Sequence, residues 1–126
     1  MVNLVEIKKI KPAVEDEKGI ISDIVIGKKI QHVGIITSKA NTLRGNHYHK
    51  LSTQYNYILR GKIELTVKDA KNDQPEKEKV ILAVGDLVTI PPMTIHALKA
   101  LEDSVFLVLT SEARIGQDYE NDTFRV

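Results

Sequence analysis

Between Lys62 and Lys68 the chain alternates polar and apolar residues without a fault (Lys-Ile-Glu-Leu-Thr-Val-Lys). Successive side chains of a strand point to opposite faces, so this segment buries one side and wets the other only as β-structure. Further strands are predicted over 4–10, 20–26, 32–37, 54–59, 79–83, 86–90 and 104–110, separated by the turn formers Gly27, Gly34, Gly61, Gly85-Asp86 and Pro91-Pro92. No window carries helical periodicity. Short strands at this spacing predict an all-β sandwich or barrel.

With 126 residues the chain can build one core and not two. A single domain over 1–126 is expected, with a barrel core at about 30–111, N-terminal strands in 1–29 and a C-terminal tail in 112–126. The charged run over 69–79, which holds one proline, reads as a solvated hairpin loop. The tail is expected to be ordered, with Tyr119 and Phe124 as its large apolar anchors. A net charge of +1 gives no electrostatic case for nucleic acid or a membrane surface as partner. The absence of cysteine excludes disulfides, thiolate zinc sites and thiol nucleophiles. No apolar run reaches the roughly 18 residues of a membrane span, and residues 1–6 lack the pattern of a signal peptide. The expected location is the cytoplasm.

The chemistry concentrates in Leu43-Arg44-Gly45-Asn46-His47-Tyr48-His49-Lys50. In a strand, His47 and His49 share one face. If that face lines the inside of a small barrel, His96, which follows the turn Ile90-Pro91-Pro92-Met93-Thr94, can join them. Histidine suits proton transfer at neutral pH because its ordinary pKa is about 6.5. His47 and His49 are the candidate catalytic pair, with His47 as base and His49 as donor to an oxyanion. Arg44 suits a bidentate grip on a pyrophosphate or carboxylate. The same imidazoles, with Gln54 as a fourth donor, also form a set for a divalent metal. His32 has no matched partner, and Tyr55 and Tyr57 read as core or interface residues.

These residues resemble the cupin superfamily. Its first motif, G-x5-H-x-H-x(3,4)-E-x6-G, is matched with correct spacing by His47, His49, Gln54 and Gly61, with Asn41 at the opening glycine. Its second, G-x5-P-x-G-x2-H-x3-N, is matched by Gly85, Pro91 and His96, with Met93 and Ala100 replacing the glycine and asparagine. The resemblance implies a cupin barrel, a double-stranded β-helix or jelly roll. Arg44-Gly45-x-His47-x-His49-Lys50 followed by Gln54 is similar to the dTDP-4-keto-6-deoxyhexose 3,4-ketoisomerases. Leu43-Arg44-Gly45-x-His47-Tyr48 and Ile90-Pro91-Pro92-x-x-x-His96 are similar to the dTDP-4-dehydrorhamnose 3,5-epimerases.

Both resemblances imply proton abstraction beside a sugar ketone by histidine, without a metal. The position of the epimerases' acid tyrosine falls on Val108, which leaves Tyr48, Tyr55, Tyr57 or Tyr119 to supply an acid. The expected activity is that of a nucleotide-sugar isomerase or epimerase. Its catalytic residues are His47 and His49, its substrate-binding residues Arg44, Gln54 and Tyr48, and no cofactor is required. The alternatives are a metal-dependent cupin holding zinc, iron, nickel or manganese on His47, His49, Gln54 and His96, and a non-catalytic sugar-binding cupin. A homodimer is expected, with the strand at 4–10 as a candidate for pairing across it.

Overall fold

Ile63, Leu65 and Val67 are fully buried, while Glu64, Thr66 and Lys68 between them keep contact with solvent. That strand is one of twelve in the computed structural model, which describes residues 3–113 and 121–126; every regular element among them is a β-strand. In chain order they are β1 (Glu6–Lys9), β2 (Val14–Asp16), β3 (Gly19–Ile21), β4 (His32–Ser38), β5 (Leu43–Tyr48) and β6 (Gln54–Arg60). There follow β7 (Lys62–Asp69), β8 (Glu78–Ala83), β9 (Asp86–Ile90), β10 (Thr94–Ala100), β11 (Ser104–Thr110) and β12 (Phe124–Arg125). Two five-stranded antiparallel sheets, ordered β1-β9-β6-β11-β4 and β12-β5-β10-β7-β8, face each other, and β2 and β3 form a separate hairpin. This is the all-β jelly roll of a single-domain cupin.

The core fills one end of the space between the sheets. Ile58, Ile63, Leu65, Val67, Leu82 and Val88 are wholly excluded from solvent, and Phe106 and Ile90 are nearly so. Burying each such side chain contributes roughly 1.5–3 kcal/mol, which is why the pattern of alternation dictates which face turns inward. In β6 the inward set is Gln54, Asn56 and Ile58, and in β10 it is His96, Leu98 and Ala100. Polar residues therefore occupy the inward positions toward one end, and that end holds the site.

The structure departs from the sequence-based expectation over 20–26 and at β10. Over 20–26 only the first two residues are in a strand, as part of β3; the two-stranded hairpin gives the following residues no neighbour, and Ile26 is 74% exposed. β10 is not among the predicted strands, because His96 and Lys99 interrupt the simple alternation that would mark it. β1 covers the edge of β9 in its own chain, with the register Glu6↔Thr89 to Lys9↔Asp86, and leaves its other side open. Residue Tyr119 of the tail lies outside the described residues; Phe124 is in β12.

Two departures from the cupin motifs leave a trace in the backbone. Asn41 and Met93, which stand where the motifs carry glycine, both have left-handed φ values of 69° and 62°. Asparagine tolerates this region, but an unbranched apolar residue there is strained. Met93 is nonetheless held, since its N–H donates to the carbonyl of His49 at 2.7 Å and its carbonyl accepts from Ala70 at 2.9 Å. Met93→Val, which adds β-branching at positive φ, is expected to be less stable than Met93→Gly by about 1–3 kcal/mol. Thermal denaturation followed by circular dichroism checks this; equal melting temperatures for the two variants would contradict it.

Candidate active site

The site begins with a flaw in β5. Along β10 the partners run Lys99↔Leu43, Leu98↔Arg44 and Ala97↔Gly45, and then His96↔His47, so Asn46 has no partner and forms a bulge. Gly45 and Asn46 both have positive φ, 93° and 65°. Cross-strand partners share a face, and Leu98 and His96 both face inward. Arg44 and His47 are three residues apart and would lie on opposite faces of a regular strand. The extra residue turns both toward the same cavity.

That cavity, of about 310 Å³, is lined by His47, His96, Gln54, Arg44, Thr123 and Arg125, over an apolar floor that includes Leu98 and Phe106. His47 and His96 line it, and His49, which lines a neighbouring cavity with Ser52 and Asp122, completes a cluster with them. Their ring centroids are 5.0 Å (His47–His49), 4.7 Å (His47–His96) and 5.2 Å (His49–His96) apart. His49 is 5% exposed and His96 1%, while His47 is only half-buried and is the most accessible of the three.

Hydrogen bonds orient two of the rings. His96 Nδ1 donates to the carbonyl of Thr94 at 3.0 Å, which directs Nε2 into the cluster. His49 Nδ1 donates to the carbonyl of Asp122 at 2.9 Å, and its Nε2 lies 3.2 Å from Oε1 of Gln54. Gln54 Nε2 in turn donates to Oδ1 of Asn56 at 3.2 Å, and Asn56 is fully buried. A backbone carbonyl only accepts, so this contact uses a proton on Nδ1, and the Gln54 amide can turn either its oxygen or its nitrogen toward Nε2. Asn56 is absent from the sequence-predicted site; only its two-residue spacing from Gln54 on an inward face signals it.

Asp122 is the second residue that sequence reasoning misses. Its carboxylate accepts the backbone N–H groups of Lys50, Leu51 and Ser52 at 2.9–3.2 Å, closing the turn that follows the histidine pair. β12 then pairs with β5 in the register Phe124↔Tyr48 and Arg125↔His47. Tyr48 stacks on Phe124 with centroids 5.5 Å apart, so it turns away from the histidine cavity instead of lining it. Arg125 reaches the cavity, with Nη1 3.5 Å from His47 Nδ1.

Arg44 bridges the seam between the sheets. Its Nε donates to Ser38 Oγ and its Nη2 to the carbonyl of Thr37, both at 2.9 Å. A second cavity of about 550 Å³ shares Leu43 and Arg44 with the first and adds Lys39 and Arg60. Leu43 and Arg44 are thus common to both cavities, and the larger is lined by three cations, Lys39, Arg44 and Arg60, and by Asp103.

The donor set also fits a divalent ion. The nitrogens that the three histidines offer lie within 4.8 Å of one another. The 3.2 Å between His49 Nε2 and Gln54 Oε1 suits two ligands of one ion at roughly 2.0–2.2 Å each. His49 and His96 each give Nδ1 to a backbone carbonyl, the outer contact that orients a ligating imidazole. The set is neutral, however, because Gln54 replaces a carboxylate.

Fold and site define a cupin with a histidine-lined barrel mouth. The chain belongs to the family of the polysaccharide biosynthesis C-terminal domain, whose model matches residues 14–124. Among curated proteins none matches the chain. A sugar 3,4-ketoisomerase from Thermoanaerobacterium thermosaccharolyticum, solved in complex with TDP, is 25% identical at a TM-score of 0.77 over 100% of this chain and 90% of that one. A mutant of the same enzyme holds TDP-4-keto-6-deoxyglucose. The TDP-quinovose 3,4-ketoisomerase of Campylobacter jejuni is 20% identical at a TM-score of 0.80, covering 99% of this chain and 95% of its own. A dTDP-4-dehydrorhamnose 3,5-epimerase from Sulfolobus tokodaii is 19% identical at a TM-score of 0.71, over 89% and 72%. These are the two groups that the histidine signature resembles; at 19–20% identity the last two matches speak for the fold alone.

The bulge is directly testable. A Cβ on Gly45 would lie 2.7 Å from the carbonyl oxygen of His96, whereas one on Gly27, at a similar positive φ, meets nothing within 4 Å. Gly45→Ala is expected to cost at least about 1–3 kcal/mol more than Gly27→Ala, a difference of several degrees in melting temperature. Equal melting temperatures would show that the strands give way at no cost.

Proposed function

We propose that this protein is a nucleotide-sugar isomerase or epimerase acting on a dTDP-4-keto-6-deoxysugar by histidine acid–base catalysis. The observation that carries the reading is the cluster of His47, His49 and His96, two of which, His47 and His96, line one cavity with Arg44 turned onto the same wall by the bulge at Asn46. Shifting a ketone along a sugar, or inverting the carbon beside it, begins with removal of the α-proton. That needs a base beside the C–H bond and donors around the oxygen that becomes an enolate. His47, the most accessible of the three, is the base; His49 and Gln54 support the charge that develops. The groove with Lys39, Arg44 and Arg60 suits the diphosphate, whose charge these cations balance. The 25% identity with the TDP-bound ketoisomerase, over the whole of this chain, supports the substrate class.

Proton NMR of dTDP-4-keto-6-deoxyglucose in deuterated buffer tests this. Deuterium incorporation at the carbon beside the ketone and a new isomer are expected with the native protein. With His47→Asn the rate is expected to fall by about 10²–10⁴. Native protein that leaves the spectrum unchanged would remove the reading.

A second reading has its own support in the outward Nδ1 contacts of His49 and His96. On it, His47, His49, Gln54 and His96 hold a divalent ion, which when bound would polarise a carbonyl oxygen. Elemental analysis of protein purified without added metal separates the two. On the histidine-only reading, turnover survives in protein freed of metal by a chelator; a stoichiometric metal, lost together with activity on His49→Ala, would favour the ion.

The protein is proposed to work as a homodimer in the cytoplasm. Val33 and Ile35 on the outer face of edge strand β4 are 60% and 65% exposed, and the N-terminal hairpin exposes Val14, Ile20 and Ile21. Apolar edges of this kind are commonly covered by a second copy. Light scattering at micromolar concentration is expected to give twice the chain mass, and a monomer there would refute the dimer.

A further inference from the structure

We propose that Ser38 is a positioning residue of the site, whose hydroxyl aims the guanidinium of Arg44 at the diphosphate of the ligand. The proposal rests on the nucleotide-sugar reading above and adds to it the group that holds the anion-binding arginine in place. Arg44 is exposed near the start of β5, and a long side chain in solvent has many rotamers to lose when a ligand fixes it. Two hydrogen bonds tie it to the facing sheet: Nε donates to Ser38 Oγ and Nη2 to the carbonyl of Thr37, both at 2.9 Å. Among the described strands β4 is an edge, paired with β11 alone, and an edge presents backbone groups that its own ladder does not use. Arg44 reaches across the seam to that edge.

Ser38 is a fixed point. It is 7% exposed and paired with Ser104, which is 2% exposed. The connection from Ser38 to Arg44 is braced along its length. Thr42 donates to the Lys39 carbonyl through N at 3.1 Å and through Oγ1 at 2.6 Å. The Ala40 N–H donates to the Asp103 carboxylate at 2.9 Å, and the Asn41 N–H to the Ala100 carbonyl at 2.7 Å. Ser38 and Arg44 are therefore the two ends of a turn that the rest of the barrel ties down.

The way Arg44 is held decides which donors remain. A guanidinium carries five N–H donors in one plane, and Nε shares an edge of that plane with Nη2. That edge is spent on Ser38 and Thr37. Nη1 and the second N–H of Nη2, the end of the fork, are bonded to no described residue, and an anion with two oxygens fits this end bidentately. Arg44 lines both the histidine cavity and the larger one with Lys39 and Arg60. The fork thus stands where a diphosphate would join a sugar in the first to a nucleoside in the second. Without the Ser38 hydroxyl the guanidinium must be ordered at the moment of binding. That costs affinity and leaves the proton-moving histidines untouched.

The test measures TDP binding by titration calorimetry and turnover of dTDP-4-keto-6-deoxyglucose in the native chain and in variants. In Ser38→Ala, the Kd for TDP and the KM for the sugar are expected to rise about 3–10-fold, with kcat within about twofold of native. Ser38→Thr, which keeps the hydroxyl, is expected to bind TDP within about twofold of native. Arg44→Met keeps Lys39 and Arg60 to bind TDP measurably; in that background Ser38→Ala is expected to change Kd by less than about twofold, because no guanidinium is left to hold. A rise of less than about threefold in Ser38→Ala, a loss confined to kcat, or an equal loss with and without Arg44 would overturn the proposal and leave the keto-sugar reading standing. A loss that Ser38→Thr does not restore, together with a lowered melting temperature, would assign Ser38 to packing against Ser104 and overturn it as well. A native protein that neither binds TDP nor turns over the sugar overturns both.

Discussion

The site depends on one unpaired residue. Without Asn46 as an extra residue, a two-residue repeat would carry Arg44 to the outer surface whenever His47 faced inward. The bulge is held open by the close approach of Gly45 to the His96 carbonyl, a place with no room for a side chain. The same irregularity that breaks the ladder between β5 and β10 therefore brings a cation and two imidazoles to one cavity. A strained backbone at the site is the local cost of that arrangement, borne by a sheet whose core residues are well buried.

Around this bulge the inner polar residues form layers. His47 lies closest to solvent; His49 is held from one side by the Asp122 carbonyl and from the other by Gln54; Asn56 ends the row in the fully buried interior. Two amides in series can present either oxygen or nitrogen to His49, so the relay can satisfy the ring with or without its second proton. An apolar floor of Leu98 and Phe106 lowers the local dielectric and strengthens each of these contacts. The C-terminal segment completes the assembly, since Asp122, Thr123 and Arg125 all touch the site or the turn beside it.

Much of the fold was legible in the sequence because burial in a two-faced sheet leaves a period of two. Lys62 to Lys68 displayed it plainly, and β4, β6, β8, β9 and β11 were readable in the same way. β10 was not, because the buried polar His96 breaks its apolar series. The hairpin of β2 and β3 also escaped notice, since strands with every residue exposed carry no alternation to detect. Of the site, the spacing of His47 and His49 announced a shared face, and the motif positions brought in Gln54 and His96. Tyr48, which the signature drew in, belongs to the other face by the same alternation and stacks on Phe124.

By itself the sequence determined the class of fold, its inward faces and the pair of imidazoles, because each follows from local spacing. Only the tertiary structure decided that Arg44 shares the wall of His47, that the Asp122 carbonyl orients His49, and that Arg125 stands beside His47. Those relations join residues up to 78 positions apart, or turn on one extra residue in a register. They are set by which strands pair and where the pairing slips, and no local pattern of residue types encodes either.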